Sequence, residues 1–93
     1  MKEQDIQKKI TNWLESEGCY VVKVVNATKS GVPDVICCTP RGLFVGIEIK
    51  TLNTKNNVSK LQQYNLDAIE ATGGHSFVAW SLDMVKENME DLL

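Results

Sequence analysis

Two apolar runs joined by a short turn dominate the middle of the chain, in the stretch GVPDVICCTPRGLFVGIEIK at residues 31–50. The turn between them, Pro40-Arg41-Gly42, is typical of a tight reversal, so the runs predict a β-hairpin. Asp34 opens the first run, and Glu48 and Lys50 close the second, so antiparallel pairing brings two carboxylates and a lysine to one end. Burying carboxylates is costly unless a cation neutralises them, and the hairpin therefore predicts a metal site.

Length and composition limit the class of protein. The 93 residues predict one small domain spanning 1–93, and 43% hydrophobic with 24% charged residues is ordinary for a globular protein. No apolar run reaches the roughly 18 residues needed to span a bilayer. The N-terminal segment MKEQDIQKKITNW is too polar for a signal peptide. We therefore expect a cytoplasmic protein with no membrane partner.

The net charge of −2 hides an uneven distribution. Residues 23–60 hold six Lys or Arg against two acids, a balance of +4, whereas residues 61–93 hold one lysine against six acids, a balance of −5. Positive charge gathered around the acidic pair is expected where a polyanion binds. The alternative is a solvated loop with scattered lysines.

The cysteines and aromatic residues are predicted to belong to the core. Three cysteines, without C-x-x-C spacing, indicate small buried side chains rather than a zinc site or a disulfide. The four aromatic residues that fall on predicted apolar faces are interpreted as core rather than as base-stacking surfaces. The residues in these two sets are Cys19, Cys37, Cys38, Trp13, Tyr20, Phe77 and Trp80.

The periodicity predicts the order α-β-β-β-α-β-α, an α/β fold with a mixed central sheet flanked by helices. The predicted bounds are a helix at 3–17, strands at 19–25, 34–39 and 43–50, a helix from Ser59 to Gly73, a strand at 75–80 and a helix after Ser81. The middle helix is a βαβ crossover, so the strands on either side of it should be parallel. The second and third strands are almost continuously apolar, which predicts a sheet covered on both faces. In the middle helix, the predicted apolar stripe is Leu61, Tyr64, Ala68 and Ile69.

The hairpin residues suit a specific chemistry. Glu48 and Lys50 are two apart on a strand and share one face, while Ile49 points into the core. Two carboxylates with a backbone carbonyl form a hard oxygen site suited to Mg²⁺ or Mn²⁺. A lysine beside it could position a water and stabilise charge on a phosphate, as phosphodiester hydrolysis requires. Alternatively, Asp34 caps a turn, and Glu48 and Lys50 form a surface pair worth less than about 1 kcal/mol.

Taken in order and spacing, the motifs resemble the PD-(D/E)XK nuclease superfamily, which has a restriction-endonuclease-like fold. Within it they resemble the VRR-NUC (virus-type replication-repair nuclease) domain in its stand-alone, phage-like form. The likeness covers nearly the whole chain. The motifs that carry it are Glu3 in the first helix, Gly31-Val-Pro-Asp34, Gly46-Ile-Glu48-Ile-Lys50-Thr51, Val58-Ser59-x-x-Gln62 and Gly73-Gly74.

This resemblance implies an Mg²⁺- or Mn²⁺-dependent DNA endonuclease. Asp34, Glu48 and the main-chain carbonyl of Ile49 would be the metal ligands, and Lys50 would be catalytic. Glu3 and Gln62 carry over as supporting active-site residues. Stand-alone members are similar to Holliday-junction resolvases, so the resemblance also implies a homodimer that acts on branched DNA such as four-way junctions. A phage-encoded copy would work in the host cytoplasm.

Several alternatives stay open at this point. Ser59 and Gln62 also fit a capping box, and Glu3 could simply be a favourable acid in the first turn of a helix. The same scaffold could be a non-catalytic DNA-binding or dimerisation module. It could also be a flap nuclease, a non-selective nuclease or a sequence-specific restriction-like enzyme, although a chain of this size leaves little room for a recognition module.

Overall fold

Seven elements form in the predicted order in a computed structural model that describes all residues, Met1–Leu93. Their bounds are α1 (Glu3–Ser16), β1 (Tyr20–Lys23), β2 (Val35–Cys38), β3 (Phe44–Ile49), α2 (Lys60–Ala71), β4 (His75–Ala79) and α3 (Leu82–Met89). The α/β class and the element order are therefore confirmed. None of the three helices combines the length and apolar character that crossing a bilayer requires.

The sheet has the strand order β1-β2-β3-β4. The first three strands are antiparallel neighbours, whereas β3 and β4 are parallel and joined through α2. The predicted hairpin between β2 and β3 is confirmed, and Gly42 supplies the positive φ of +79° that its turn needs. This arrangement places the start of β2 and the end of β3 at the same edge of the sheet.

One face of the sheet packs against α1 and α3. Twelve buried residues from the two helices and the facing side of the strands form one hydrophobic cluster, in which Ile10, Leu14, Ile47 and Ile49 are fully buried. Trp13 and Phe77 pack against this cluster, as predicted. The alternation along β3 then sends Glu48 to the opposite face, towards α2.

Helix α2 reaches that opposite face by close contact with a glycine. A Cβ atom on Gly46 would lie 2.7 Å from Cδ1 of Ile69 and 3.1 Å from Cγ of Pro33. Ile69 is also confined from the other side, since a Cβ on Gly74 would lie 2.8 Å from its Cγ2. The side chain of Ile69 therefore has little space to move aside, and α2 depends on the missing Cβ to sit where it does.

The predicted stripe of α2 is wrong in part. Leu61, Tyr64 and Ala68 are exposed, and the buried residue of this helix is Leu66. Relative to the prediction, a different face of α2 is turned towards the sheet. Gln62 in its first turn bonds to Glu48 of β3, and Leu66 and Ile69 follow on the same face of the helix.

The prediction that the sheet is covered on both faces is also wrong for β1 and β2. Their outer side carries Tyr20, which is 74% exposed, together with Cys38 and the adjoining Phe44, which is 44% exposed. An apolar cavity of about 210 Å³ lies here, lined only by hydrophobic side chains. The reason is that the twelve-residue α2 packs on β3 and β4 and leaves the other half of this face open. The predicted burial of Tyr20 and Cys38 is therefore wrong.

The other two cysteines are buried as predicted, and all three are free thiols. Burial raises the pKa of the Cys37 thiol to about 12, and it also raises the pKa of Cys19. Both side chains are consequently protonated and behave as small apolar groups.

We expect Gly46→Val to destabilise the fold by about 1–3 kcal/mol, because the added atoms overlap with Ile69 and Pro33. Thermal or urea unfolding would measure the loss. Ile36→Val is the control, since Ile36 pairs with Gly46 across the hairpin but lines the uncovered side, and we expect it to cost less than about 1 kcal/mol. Equal stability of Gly46→Val and the wild type would contradict the close-contact explanation.

Candidate active site

The site forms where β2 begins and β3 ends. Val35 pairs with Ile47 in the antiparallel register, so Asp34, one residue before β2, comes level with Glu48. The Asp34 carboxylate accepts a hydrogen bond of 2.8 Å from the main-chain N–H of Ile49. The two predicted acids and the predicted Ile49 peptide therefore meet at one edge of the sheet.

The chain before β2 holds Asp34 in place. Pro33 is fully buried, and the main-chain carbonyl of Asp34 accepts a 2.8 Å hydrogen bond from the N–H of Val24. Gly31 adopts a φ of +80°, a conformation that side chains with a Cβ rarely adopt. The three specified residues of the Gly-x-Pro-Asp motif thus each have an identifiable structural role before β2.

Gln62 connects the acidic pair to the lysine. Its side-chain oxygen accepts hydrogen bonds from Lys50 Nζ at 3.1 Å and from the N–H of Ser59 at 2.9 Å. Its side-chain nitrogen donates to Glu48 Oε2 at 3.2 Å. Gln62 N–H in turn donates to Ser59 Oγ, which completes a capping box. The two roles considered for Gln62, helix cap and site residue, are therefore compatible in one side chain.

Glu48 is 3% exposed, and its Oε2 lies 3.8 Å from Lys50 Nζ. Burial, followed by a hydrogen bond to Asp34 and the charges of Asp34 and Glu3, raises the pKa of Glu48 from 4.5 to about 8, and Lys50 opposes the shift. The carboxyl group therefore holds a proton at neutral pH unless a cation takes its place. The surface-pair interpretation of Glu48 and Lys50 is excluded by this burial.

Glu3 contributes to the site through its charge, as one of the groups that raise the pKa of Glu48. It stands in the first turn of α1, where the helix dipole also favours an acid. One helical turn further on, Gln7 is a buried polar residue that the sequence reasoning missed. The available signal was a polar residue beside Ile6 on the apolar face of α1.

No group of three or more His, Cys, Asp or Glu side chains is placed to hold a metal ion. A metal at this site would therefore depend on two carboxylates, a main-chain carbonyl and water, which is the kind of ligand set that Mg²⁺ accepts. The structure brings Asp34, Glu48, Lys50 and Gln62 together, and their catalytic and metal-binding roles stay predictions.

Comparison with known proteins identifies solved structures whose fold is similar to that of this chain. No family model and no curated protein matches the sequence. Among solved structures, a VRR_NUC domain has a TM-score of 0.81 at 28% sequence identity, covering 98% of this chain and 97% of the other. A second structure, a VRR_NUC domain protein, has a TM-score of 0.74 at 19% identity, covering 97% of this chain and 86% of the other. The second likeness supports the fold alone.

We expect Glu48→Gln to stabilise the metal-free protein above pH 8 by about 1–3 kcal/mol, with little effect near pH 5. The raised pKa means that the folded state binds more protons than the unfolded state between about pH 4.5 and 8, so wild-type stability falls as pH rises through this window. Glutamine cannot ionise and does not share this loss.

Urea unfolding in EDTA at the two pH values would measure the difference. Glu87→Gln, at an exposed position of α3, is the matched control and should behave like the wild type at both. The same effect of Glu48→Gln at pH 5 and above pH 8 would contradict a raised pKa.

Proposed function

We propose that this chain, which resembles a VRR_NUC domain along nearly its whole length, is an Mg²⁺- or Mn²⁺-dependent endonuclease that hydrolyses phosphodiester bonds in DNA. The observation that carries the proposal is a buried carboxylate, Glu48, which lies beside the partly buried Asp34 and is joined to Lys50 through Gln62. A non-catalytic binding module has no need for two adjacent acids of this kind, since acids repel the phosphates that such a module must hold.

The residues fit a divalent cation. Burial, together with the neighbouring Asp34, raises the pKa of Glu48, and a cation would offset the negative charge of both carboxylates. The proposed ligands are these two carboxylates and the main-chain carbonyl of Ile49. When bound, such an ion polarises the phosphate and lowers the pKa of the attacking water.

In this proposal, Lys50 acts on the phosphate and the water. Its hydrogen bond to Gln62 holds the ammonium group 3.8 Å from Glu48 Oε2, and its side chain is only 12% exposed. A cation in such a partly buried place stabilises the negative charge that develops as the bond to the leaving oxygen breaks. Gln62 orients Lys50 and Glu48 relative to each other, and Glu3 adds negative charge that favours cation binding.

We further propose that the substrate is branched DNA, such as a four-way junction, and that the protein acts as a homodimer. The uncovered side of β1 and β2 supports a second copy there, since its lining is entirely hydrophobic and offers a nucleic acid no charge to bind. Two copies related by a twofold axis would present the same apolar surface to each other. Such a dimer would offer two active sites to two strands.

We expect Lys50→Ala to lower the cleavage rate by at least about 100-fold, as for the loss of one preorganised charge-stabilising group. A gel assay in Mg²⁺ on a four-way junction, a flap, a single strand and linear duplex would measure it. Lys86→Ala is the control, because Lys86 lies on α3 over Trp13, away from the site.

The pattern of products separates the alternatives. Paired nicks in the junction support a dimeric resolvase, and cutting of flaps or of every substrate indicates a nuclease of another selectivity. Undiminished cutting by Lys50→Ala contradicts the assignment of Lys50. Failure of the wild type to cut in either Mg²⁺ or Mn²⁺ favours the binding module.

We expect Tyr20→Glu to convert the dimer to a monomer, because it places a charge in the apolar interface. Sedimentation analysis would measure the oligomeric state. Tyr64→Glu is the matched control, since Tyr64 is a similarly exposed tyrosine, 68% accessible, on α2. A monomeric wild type, or a Tyr20→Glu variant that stays dimeric, would rule out this interface.

A further inference from the structure

A second cavity, of about 330 Å³, lies between the start of α1 and the start of α3. Met1, Ile6, Trp80 and Leu82 supply its apolar wall, and Lys9, Ser81 and Asp83 supply polar groups. Its volume falls at the lower end of the range for small-molecule sites, about 300–1,000 Å³. It therefore has room for one flat ring system and not for a duplex.

This cavity adjoins the candidate active site. The main-chain N–H of Lys50 donates a 2.9 Å hydrogen bond to the carbonyl of Ala79, the residue before Trp80. On the other wall, Ile6 stands one helical turn from Glu3. The end of β3 that carries Lys50 and the residue Trp80 are therefore neighbours across the sheet.

Trp80 already holds a cation on its ring. Lys55 Nζ lies 5.4 Å from the ring centroid, a cation–π distance. Lys55 does not line the cavity, so it leaves free the part of the ring that faces the cavity. Lys55 on the ring and Lys9 in the wall supply positive charge at the cavity, which attracts the phosphates of a nucleic-acid strand.

The other tryptophan, Trp13, also has a lysine near its ring, but its surroundings are acidic. Lys86 Nζ lies 5.7 Å from the Trp13 ring, but the groove there is also lined by Glu17, Glu87 and Glu90. Three carboxylates repel a phosphate chain, so this tryptophan–lysine pair is unsuited to nucleic acid. The cavity at Trp80, by contrast, has two lysines, Lys9 and Lys55, against one carboxylate, Asp83.

From this geometry we propose that the cavity receives one nucleobase, unstacked from the strand at the position next to the scissile phosphate, which stacks on Trp80. The proposal rests on the nuclease function above and specifies its substrate as DNA with an unpaired or easily unpaired base beside the cut. Stacking on an aromatic ring accepts any base. The Asp83 carboxylate adds selectivity, because it accepts a hydrogen bond from the exocyclic amino group of cytosine, which thymine lacks.

Binding without metal tests the cavity separately from cleavage. Fluorescence anisotropy in EDTA would compare a short oligodeoxycytidine with an abasic oligomer of the same length. We expect the wild type to bind the oligomer with bases about 5- to 150-fold more tightly, the usual effect of one stacked base. Trp80→Leu should lose this difference, whereas Trp80→Phe and the control Trp13→Leu should keep it.

A second variant keeps the proposal testable if Trp80→Leu does not fold. Asp83 is exposed at the start of α3, so Asp83→Ala should fold, and thermal unfolding would check both variants. We expect the wild type to prefer oligodeoxycytidine over oligothymidine by about 3- to 10-fold and Asp83→Ala to lose that preference. Equal binding of the base-containing and abasic oligomers by the wild type would overturn the proposal, as would an unchanged ratio in folded Trp80→Leu.

The two proposals fail in different ways. Trp80-dependent preference for bases without any cleavage in Mg²⁺ or Mn²⁺ supports the cavity and counts against the nuclease. Lysine-dependent cleavage with equal affinity for both oligomers supports the nuclease and counts against the cavity.

Discussion

The hydrogen bond from the Ile49 main chain to the Asp34 carboxylate joins β2 and β3 at the candidate active site. It forms because the antiparallel register brings the start of β2 level with the end of β3. The same register places Asp34 beside Glu48 in a buried setting, where two negative charges are unfavourable together. Burial is the largest cause of the raised pKa of Glu48, and the close approach of Asp34 adds to it.

Helix α2 stabilises the positions of Glu48 and Lys50 at the end of β3. Gln62 caps the helix and bonds to both Glu48 and Lys50, so the position of the helix and the geometry of the site depend on one side chain. Gly46 lets the helix come close enough for these bonds to form. A helix boundary, a packing contact and a polar network are thus coupled, and a change in one is expected to disturb the others.

The uneven cover of the sheet separates the remaining surfaces by chemistry. The open side of β1 and β2 is apolar and suits another protein surface, whereas the cavity at Trp80 has lysines nearby and adjoins the acidic site. The groove at Trp13 is acidic and suits neither DNA nor an apolar partner. These differences arise because three short helices cannot cover a four-stranded sheet completely.

The sequence by itself determined the element order, the hairpin and the identity of Asp34, Glu48 and Lys50 as a group, because strand alternation and turn chemistry are local properties. Only the tertiary structure decided that Gln62 both completes a capping box and bonds to Glu48 and Lys50, that Tyr20 is exposed and that burial raises the pKa of Glu48 to about 8. The physical reason is that exposure, helix rotation and desolvation depend on which distant residues pack nearby. A single sequence read by periodicity contains no such information.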